Sequence, residues 1–139
     1  MIFLANTFKN YSLKSMIAHI GFTVRDIEKT KAMYVKALAP LGLSIQMEGH
    51  GYVGFGKEGT NCFWVGGLSE RHPTVPTDIH VCFEASSHAD VDAFYKAGLE
   101  AGFKDNGASG IREMYSPAYF AAFLIDNDGN NIEAVCHGK

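Results

Sequence analysis

An internal repeat is the feature that most constrains how this chain can fold. When the sequence is compared with itself at a spacing of 61 residues, five identical residues coincide in matching contexts. The pairs are His19 with His80, Phe22 with Phe83, Ala32 with Ala93, Tyr34 with Tyr95, and Leu38 with Leu99. Such a repeat indicates a duplicated unit of one strand, one helix and further strands. Because each half is too small to bury a core alone, we expect the halves to share one curved sheet with a common concave face.

Hydrophobic periodicity and turn residues locate the elements of each half. In the first half, Asp26 is a predicted helix cap, and Pro40 and Gly42 are predicted to end that helix. The predicted strands are 17–24, 43–47, 52–55, 62–65, 78–85, 119–125 and 131–136, and the predicted helices are 27–38 and 89–101. Residues 66–77 form a predicted linker, and the stretch after Gly102 a predicted loop. In the last strands the repeat spacing drifts to 70, which pairs Phe63 with Glu133.

Composition and charge exclude several classes of protein. The chain has 139 residues, of which 47% are hydrophobic, and a net charge of −3, which suits one globular domain. Because there is no basic surplus and no apolar run of ~18 residues, we expect no nucleic-acid partner and no membrane span. Cys62, Cys82 and Cys136 form no CxxC pattern, which favours a reduced, cytoplasmic setting. Residues 1–15 are interpreted as an N-terminal extension rather than a signal peptide.

Two histidines and one carboxylate are predicted to lie on the polar faces of their strands. Side chains alternate along a strand, so His19, His80 and Glu133 all point away from their apolar neighbours. Two imidazoles and one carboxylate suit a divalent metal ion such as Fe, Mn, Ni or Zn, with coordination positions left for a substrate. The alternative is that each histidine is a hydrogen-bonded structural residue. The repeat favours the metal site, because both histidines occupy the same position in their units.

The sequence resembles the vicinal oxygen chelate superfamily, which includes glyoxalase I, extradiol dioxygenases, fosfomycin-resistance thiol transferases, methylmalonyl-CoA epimerases and bleomycin-resistance proteins. The matching segments are 19–26, the Tyr34 helix ending in 41–43, 80–83, and 126–133. The resemblance implies an α+β fold of two repeated βαβββ modules, which form a cupped mixed sheet with the helices outside. It implies one domain over 16–139, with module 1 at about 16–66 and module 2 at about 78–137. It also implies one metal ion, with His19, His80 and Glu133 as its ligands.

Departures from the family patterns narrow the expected activity. Glyoxalase I resembles this chain but has an acidic fourth ligand where the repeat places Phe63, so glyoxalase I activity is not expected. Extradiol dioxygenases carry a tyrosine where this chain has Phe123. Candidate catalytic residues are Tyr119, Arg112 and Tyr115, although Arg112 could instead pair with Glu113 on the surface. The candidate substrate pocket is aromatic, and its alternative is plain core. Its residues are Phe55, Phe63, Trp64 and Phe123.

The predicted function is therefore that of a metal-dependent enzyme of lyase, isomerase or dioxygenase type. It would act on a small substrate that is chelated through neighbouring oxygens. The alternative is a metal-free protein that binds or sequesters a small molecule, of the bleomycin-resistance type, in which the aromatic residues matter more than the triad. Members of the superfamily are often dimers, so a homodimer is expected. The 66–77 linker permits either a cup that closes within one chain or a cup completed from two chains.

Overall fold

Each half of the chain forms a four-stranded sheet and one long helix. A computed structural model describes residues 16–138, so the extension predicted over 1–15 lies outside the described residues. The elements, in chain order, are β1 (Ile20–Val24), α1 (Ile27–Leu38), a 3-10 turn (Ala39–Leu41), β2 (Ser44–Gly49), β3 (Tyr52–Gly56), β4 (Phe63–Gly67), β5 (His80–Glu84), α2 (His88–Ala101), β6 (Lys104–Ile111), β7 (Phe120–Ile125) and β8 (Asn131–Cys136). This order confirms the α+β class and the two repeated βαβββ modules. No helix among these residues is long and apolar enough to cross a membrane.

The two sheets have the same topology and remain separate. Their strand orders are β1-β4-β3-β2 and β5-β8-β7-β6. In each sheet the first strand runs parallel to the last, and the other neighbouring pairs are antiparallel. Within residues 16–138, β1 and β5 therefore each have one unpaired edge. Each module contributes its own sheet, and the described part of the chain contains no strand pairing between modules.

Local sequence explains both helices. The Asp26 side chain accepts a hydrogen bond from the Lys29 N–H at 3.0 Å, and α1 spans the predicted residues. Ser87 caps α2 in the same way, accepting from the Asp90 N–H at 3.1 Å. Gly102 ends α2 with a φ of 102°, a left-handed conformation that glycine adopts without steric cost.

Strand β6 corrects the loop that was predicted after the second helix. It pairs antiparallel with β7 although its register shifts twice. Its sequence is polar and glycine-rich, so it lacks the alternation of apolar residues that indicates a strand. The repeat contained the missing signal, because the predicted strand over 43–47 falls on 104–108 when it is moved by 61 residues.

The modules are joined through one buried core. Phe63 of β4 meets Phe83 of β5 edge to face, with ring centroids 5.3 Å apart. Tyr34 of α1 is fully buried, and its hydroxyl donates to the Asp126 carboxylate in the β7–β8 turn at 2.8 Å. The Arg25 backbone N–H donates to Asp128 in the same turn at 3.0 Å. These contacts fix module 1 against the helix-facing side of module 2.

Strand register corrects the repeat alignment by one residue. Glu133 pairs with Cys82, which is equivalent to Gly21, and Gly21 pairs with Trp64. Trp64, not Phe63, therefore occupies the position equivalent to Glu133. The spacing of 70 holds in the preceding turn and becomes 69 in the strand, because the turn of module 1 is one residue longer.

Candidate functional site

Glu133, His80 and Tyr119 form a compact polar cluster on module 2. His80 Nε2 lies 2.7 Å from Glu133 Oε2, and the Tyr119 hydroxyl donates to Glu133 Oε1 at 2.6 Å. The Glu133 side chain is only 2% exposed, whereas that of His80 is 53% exposed. A buried carboxylate is stable only when its oxygens are satisfied, and both oxygens have a partner here. The structure thus brings together two of the three predicted ligands.

Strand geometry places this cluster on the side of the sheet that turns away from the core. Phe83 and Val81 point into the core, so His80 and Cys82, which alternate with them, point outward. We call this side of the second sheet the open face of module 2. Glu133 lies on it beside Cys82, and Phe123 on β7 is the next residue across the sheet.

A cavity of about 370 Å³ lies over the cluster. Its lining residues are His80, Tyr115, Ser116, Tyr119, Phe123, Glu133 and His137. The Tyr119 ring meets the rings of Tyr115 and His137 edge to face, with centroid distances of 5.1 and 5.0 Å. These contacts restrict the orientation of Tyr119 and thereby keep its hydroxyl on Glu133. The volume lies at the lower end of the range of about 300–1,000 Å³ that is usual for small-molecule pockets.

The two weak acids beside Glu133, the Cys82 thiol and the Tyr119 hydroxyl, have raised pKa values and are protonated at neutral pH. Desolvation, followed by the charge of Glu133, raises the pKa of the Cys82 thiol to about 12. Desolvation and the hydrogen bond to Glu133 raise the pKa of Tyr119 well above its usual value. Cys82 is therefore not a thiolate nucleophile at neutral pH, and Tyr119 serves as a hydrogen-bond donor.

His19 lies apart from the other two predicted ligands. It precedes β1 and is exposed, and by alternation it belongs to the side of the first sheet that carries Gly21 and Thr23. We call this side the open face of module 1. The Phe63–Phe83 contact joins the opposite sides of the two sheets, so the shared core separates the open faces. Across residues 16–138, no three His, Cys, Asp or Glu side chains form a group that could hold a metal ion.

The donor set of one chain therefore fits a metal ion only in part. An imidazole nitrogen and a carboxylate oxygen already converge, and both atoms are ligands that divalent transition metals accept. The mixed nitrogen and oxygen set, beside a cavity, suits an ion that keeps open positions for a substrate. Within residues 16–138 of one chain no third side chain joins His80 and Glu133, so a complete triad requires a ligand from elsewhere, such as a second chain.

Arg112 lies near the cluster but is held by its own hairpin. Its guanidinium donates to the Ala108 carbonyl at 2.6 Å and to the Gly110 carbonyl at 3.2 Å. It also lies over the Phe123 ring at 5.3 Å from the centroid. None of the ion pairs found within residues 16–138 joins Arg112 to Glu113. Arg112 lines a separate cavity of about 230 Å³, which shares Tyr115 and Phe123 with the cavity over the cluster.

The four predicted pocket aromatics separate into two groups. Phe55 and Phe63 are fully buried between the sheet and the helices, because they occupy the core-facing positions of their strands. Phe123 and Trp64 lie on the open faces and line cavities. The cavity beside Trp64 has a volume of about 700 Å³ and lies on module 1. The sequence does not predict the glycines and Arg71 that line this cavity. It predicts only a linker over 66–77, which contains Arg71 and two of the glycines, Gly66 and Gly67.

Comparisons with solved structures agree with this architecture. A glyoxalase/bleomycin resistance protein from Albidiferax ferrireducens T118 is 25% identical, with a TM-score of 0.72 over 88% of this chain and 98% of that one. A glyoxalase/bleomycin resistance protein/dioxygenase family enzyme from Burkholderia phytofirmans PsJN is 17% identical, with a TM-score of 0.65 over 86% and 97% of the two chains. A related domain from Frankia sp. EAN1pec is 19% identical, with a TM-score of 0.64 over 90% and 98%.

The family assignment comes from the sequence itself. No match was found among curated proteins. The sequence model described as "Glyoxalase/Bleomycin resistance protein/Dioxygenase superfamily" matches residues 16–134, which span both modules and the His80–Glu133 pair. The chain therefore belongs to the Glyoxalase/Bleomycin resistance protein/Dioxygenase superfamily.

Proposed function

We propose that this protein is a divalent-metal-dependent enzyme of lyase, isomerase or dioxygenase type that acts on a small substrate with neighbouring oxygens. The observation that carries the proposal is the convergence of His80 Nε2 and Glu133 Oε2 at 2.7 Å beside a cavity. A bound divalent ion would supply Lewis acidity to a substrate oxygen. The identity of the ion, among Fe, Mn, Ni and Zn, is left to measurement.

The protein side chains have separate tasks in this proposal. His80 and Glu133 would hold the ion, and Tyr119 would keep Glu133 in one orientation by donating to its Oε1 atom. The Phe123 ring would exclude water on one side of the substrate. Arg112 would place its remaining N–H groups near a substrate oxygen. Trp64, at the position equivalent to Glu133, supplies no acid, so we do not propose glyoxalase I activity.

We further propose that a homodimer completes the triad, with His19 supplied by a second copy of this chain. The open faces of one chain point away from a shared core, so they cannot form a common site. β1 and β5 each retain an unpaired edge among the described residues, and such edges favour pairing with another chain. Ile20 on β1 is 40% exposed, which is consistent with a contact along that edge.

Metal analysis of protein purified without an affinity metal tests the site. We expect about one equivalent of metal per chain, lost in His80→Ala and retained in His72→Ala, which removes an exposed histidine elsewhere. Tyr119→Phe, which removes only the donor to Glu133, should weaken metal affinity by about tenfold. If the wild-type protein contains no metal and takes none up on titration, the enzyme proposal is wrong.

Mixing two defective variants tests the shared site. In the proposed dimer, each site combines His19 of one chain with Glu133 of the other. A mixture of His19→Ala and Glu133→Ala, after subunit exchange, should therefore regain about one quarter of the sites, because half of the dimers are mixed and carry one intact site. If every site lay within one chain, the mixture would regain none.

A metal-free binding protein is the second candidate, because the cavity beside Trp64 is larger than the cavity beside His80. In that case the His80–Glu133 contact is a structural hydrogen bond. A ligand of the intact protein would then bind His80→Ala with unchanged affinity, and metal addition would not alter binding.

A further inference from the structure

The open face of module 1 contains a tryptophan that lies over bare backbone. Trp64 is half-buried, and its indole covers Gly54, where an added Cβ atom would come within 2.7 Å of the ring. Gly21, the strand neighbour of Trp64 on the other side, would bring a Cβ atom within 3.0 Å of the Trp64 Cβ. The two glycines thus let the indole lie flat against the sheet. The same side chain lines the cavity of module 1.

The cavity beside this indole has the dimensions of a small-molecule site. Its volume of about 700 Å³ lies in the middle of the usual range for such pockets. Tyr52 lies next to Trp64, with ring centroids 5.9 Å apart, so the wall is aromatic over two neighbouring strands. Four glycines of the lining expose peptide groups rather than side chains, which leaves a wide, flat space. A planar aromatic ring fits this shape and surface better than a branched aliphatic group.

The lining of the cavity contains an arginine and no acid, although Glu70 precedes Arg71 in the same turn. Its charged and titratable lining residues are Arg71, His50 and His72, and no acidic side chain is among them. This distribution is a local exception in a chain with a net charge of −3. Glu48, which lies close by in the β2–β3 hairpin, is paired with Lys31 at 2.6 Å. None of the ion pairs in the described part of the chain includes Arg71.

The turn that carries Arg71 is fixed by hydrogen bonds. The Ser69 and His72 backbone groups bond to one another in both directions at 3.1 Å, and the Ser69 side chain accepts from the His72 N–H at 3.1 Å. Arg71 is therefore held at the tip of a closed turn beside the indole. A guanidinium in this place can bind a carboxylate through two parallel hydrogen bonds.

We propose that the cavity of module 1 binds a planar aromatic carboxylate, with its ring against Trp64 and its carboxylate on Arg71. The proposal deepens the proposed function, since it assigns a ligand class to a protein that takes small molecules. It does not require the metal ion, because its contacts are those of Trp64 and Arg71, and within one chain the cavity lies across the core from His80 and Glu133. In the proposed dimer this face, which also carries His19, would meet the partner subunit's open face of module 2. The residues that carry it are Trp64, Tyr52 and Arg71.

Calorimetric titration with 2-naphthoate tests this assignment, and Trp64 emission provides a second signal because it is the only tryptophan in the chain. We expect 2-naphthoate to bind and to quench the emission. The neutral 2-naphthamide, which lacks the charge, should bind at least tenfold more weakly, and so should cyclohexanecarboxylate, which lacks the flat ring. Equal affinities for the acid and the amide would overturn the role of Arg71.

Variants separate this site from the proposed metal centre. Arg71→Gln, an exposed substitution, should reduce naphthoate affinity at least tenfold, and Trp64→Leu should do the same while far-ultraviolet circular dichroism remains unchanged. His80→Ala should bind naphthoate like the wild type even though it has lost metal. If His80→Ala abolishes naphthoate binding, the acid binds at the metal centre and this inference is wrong. If wild-type protein takes up no metal but binds naphthoate through Arg71, the enzyme proposal fails and this inference stands.

Discussion

The two modules share one topology but differ at the same position of their open faces. Module 2 has a carboxylate, Glu133, between Cys82 and Phe123, whereas module 1 has Trp64 between two glycines. In module 2 the large aromatic residue, Phe123, lies beside the central position, whereas in module 1 the large aromatic residue, Trp64, occupies it. In module 2 the phenylalanine is large and the central acid is small enough to be covered by His80. In module 1 the central indole is large and its neighbours are reduced to glycine. The two modules thus share one backbone arrangement, whereas the side chains at equivalent positions of their open faces differ in size and charge.

The turns before the last strands differ as much as the faces. In module 1 the turn is exposed, and Thr60 donates to the Lys57 carbonyl from its backbone N–H at 2.8 Å and from its side chain at 2.9 Å. In module 2 the corresponding turn is buried against α1. There Asp126 accepts four hydrogen bonds, from the Tyr34 hydroxyl, the Asn130 side chain and two backbone N–H groups. Both carboxylate oxygens of Asp126 are thus used by groups of the protein itself.

Of the substitutions that test the difference between the two turns, Asp126→Ala should cause the largest loss in the free energy of unfolding. Asp126→Ala leaves four donors without their acceptor in a buried position, so we expect a loss of about 3 kcal/mol or more in the free energy of unfolding. Urea denaturation followed by circular dichroism measures this loss. Thr60→Ala, in the equivalent turn of module 1, is the matched control and should cost about 0.5 kcal/mol because the turn is solvated. Similar costs for both variants would contradict the asymmetry of the two turns.

Tyr34 of module 1 and the equivalent Tyr95 of module 2 provide a second comparison of the modules, in which we expect an intermediate effect on stability at alkaline pH. Burial, followed by the charge of Asp126, raises the pKa of Tyr34 well above its usual value of 10.0. The folded state therefore keeps this proton while the unfolded state releases it above pH 10. Stability that Tyr34 provides is complete below pH 10 and declines above it, by about 1.4 kcal/mol per pH unit until the folded pKa is reached.

The Tyr34→Phe variant isolates this contribution. It should lack the Tyr34 share of the alkaline decline, and should lose about 1 kcal/mol at neutral pH because one hydrogen bond to Asp126 is gone. Urea midpoints between pH 8 and pH 11 measure both effects. Tyr95→Phe is the comparison variant. A hydrogen bond to Asp105 also raises the pKa of Tyr95, but this side chain is only partly buried, so the variant should change the alkaline decline less than Tyr34→Phe does. An alkaline decline in Tyr34→Phe as steep as in the wild type would show that Tyr34 ionises in the folded protein.

Most of the fold could be predicted from the sequence, whereas the arrangement of the site could not. The repeat, the Asp26 cap and the Gly102 end follow local rules, so both helices were located within one residue. The face occupied by Glu133 followed from strand alternation. Its distance to His80 did not, because that depends on the register of two parallel strands that are far apart in sequence. A one-residue difference in turn length moved the equivalent of Glu133 from Phe63 to Trp64, which no local pattern reveals.

The separation of His19 from the other predicted ligands has a different cause. A repeat indicates that two units pack together, but it does not specify which sides of the units meet. Here the helix-facing sides meet, through Tyr34, Phe63 and Phe83, and the open faces are left apart. Tertiary packing determines which sides of the two modules meet. The buried turn at Asp126 contributes to this packing, because it binds the Tyr34 hydroxyl of module 1.

A small change at Gly54 tests the arrangement of the module 1 face most directly. In Gly54→Ala the new methyl group would occupy the space of the indole, so Trp64 must turn toward the cavity. Because the indole is the outer end of a partly exposed side chain, we expect a stability change within about 1 kcal/mol. Emission should move to longer wavelength as the ring becomes hydrated. Gly66→Ala is the matched control on the same face, since its Cβ would lie 3.7 Å from the nearest atom, the Gly51 carbonyl oxygen. If both variants emit like the wild type, the indole does not lie on Gly54, and the two faces differ less than their sequences suggest.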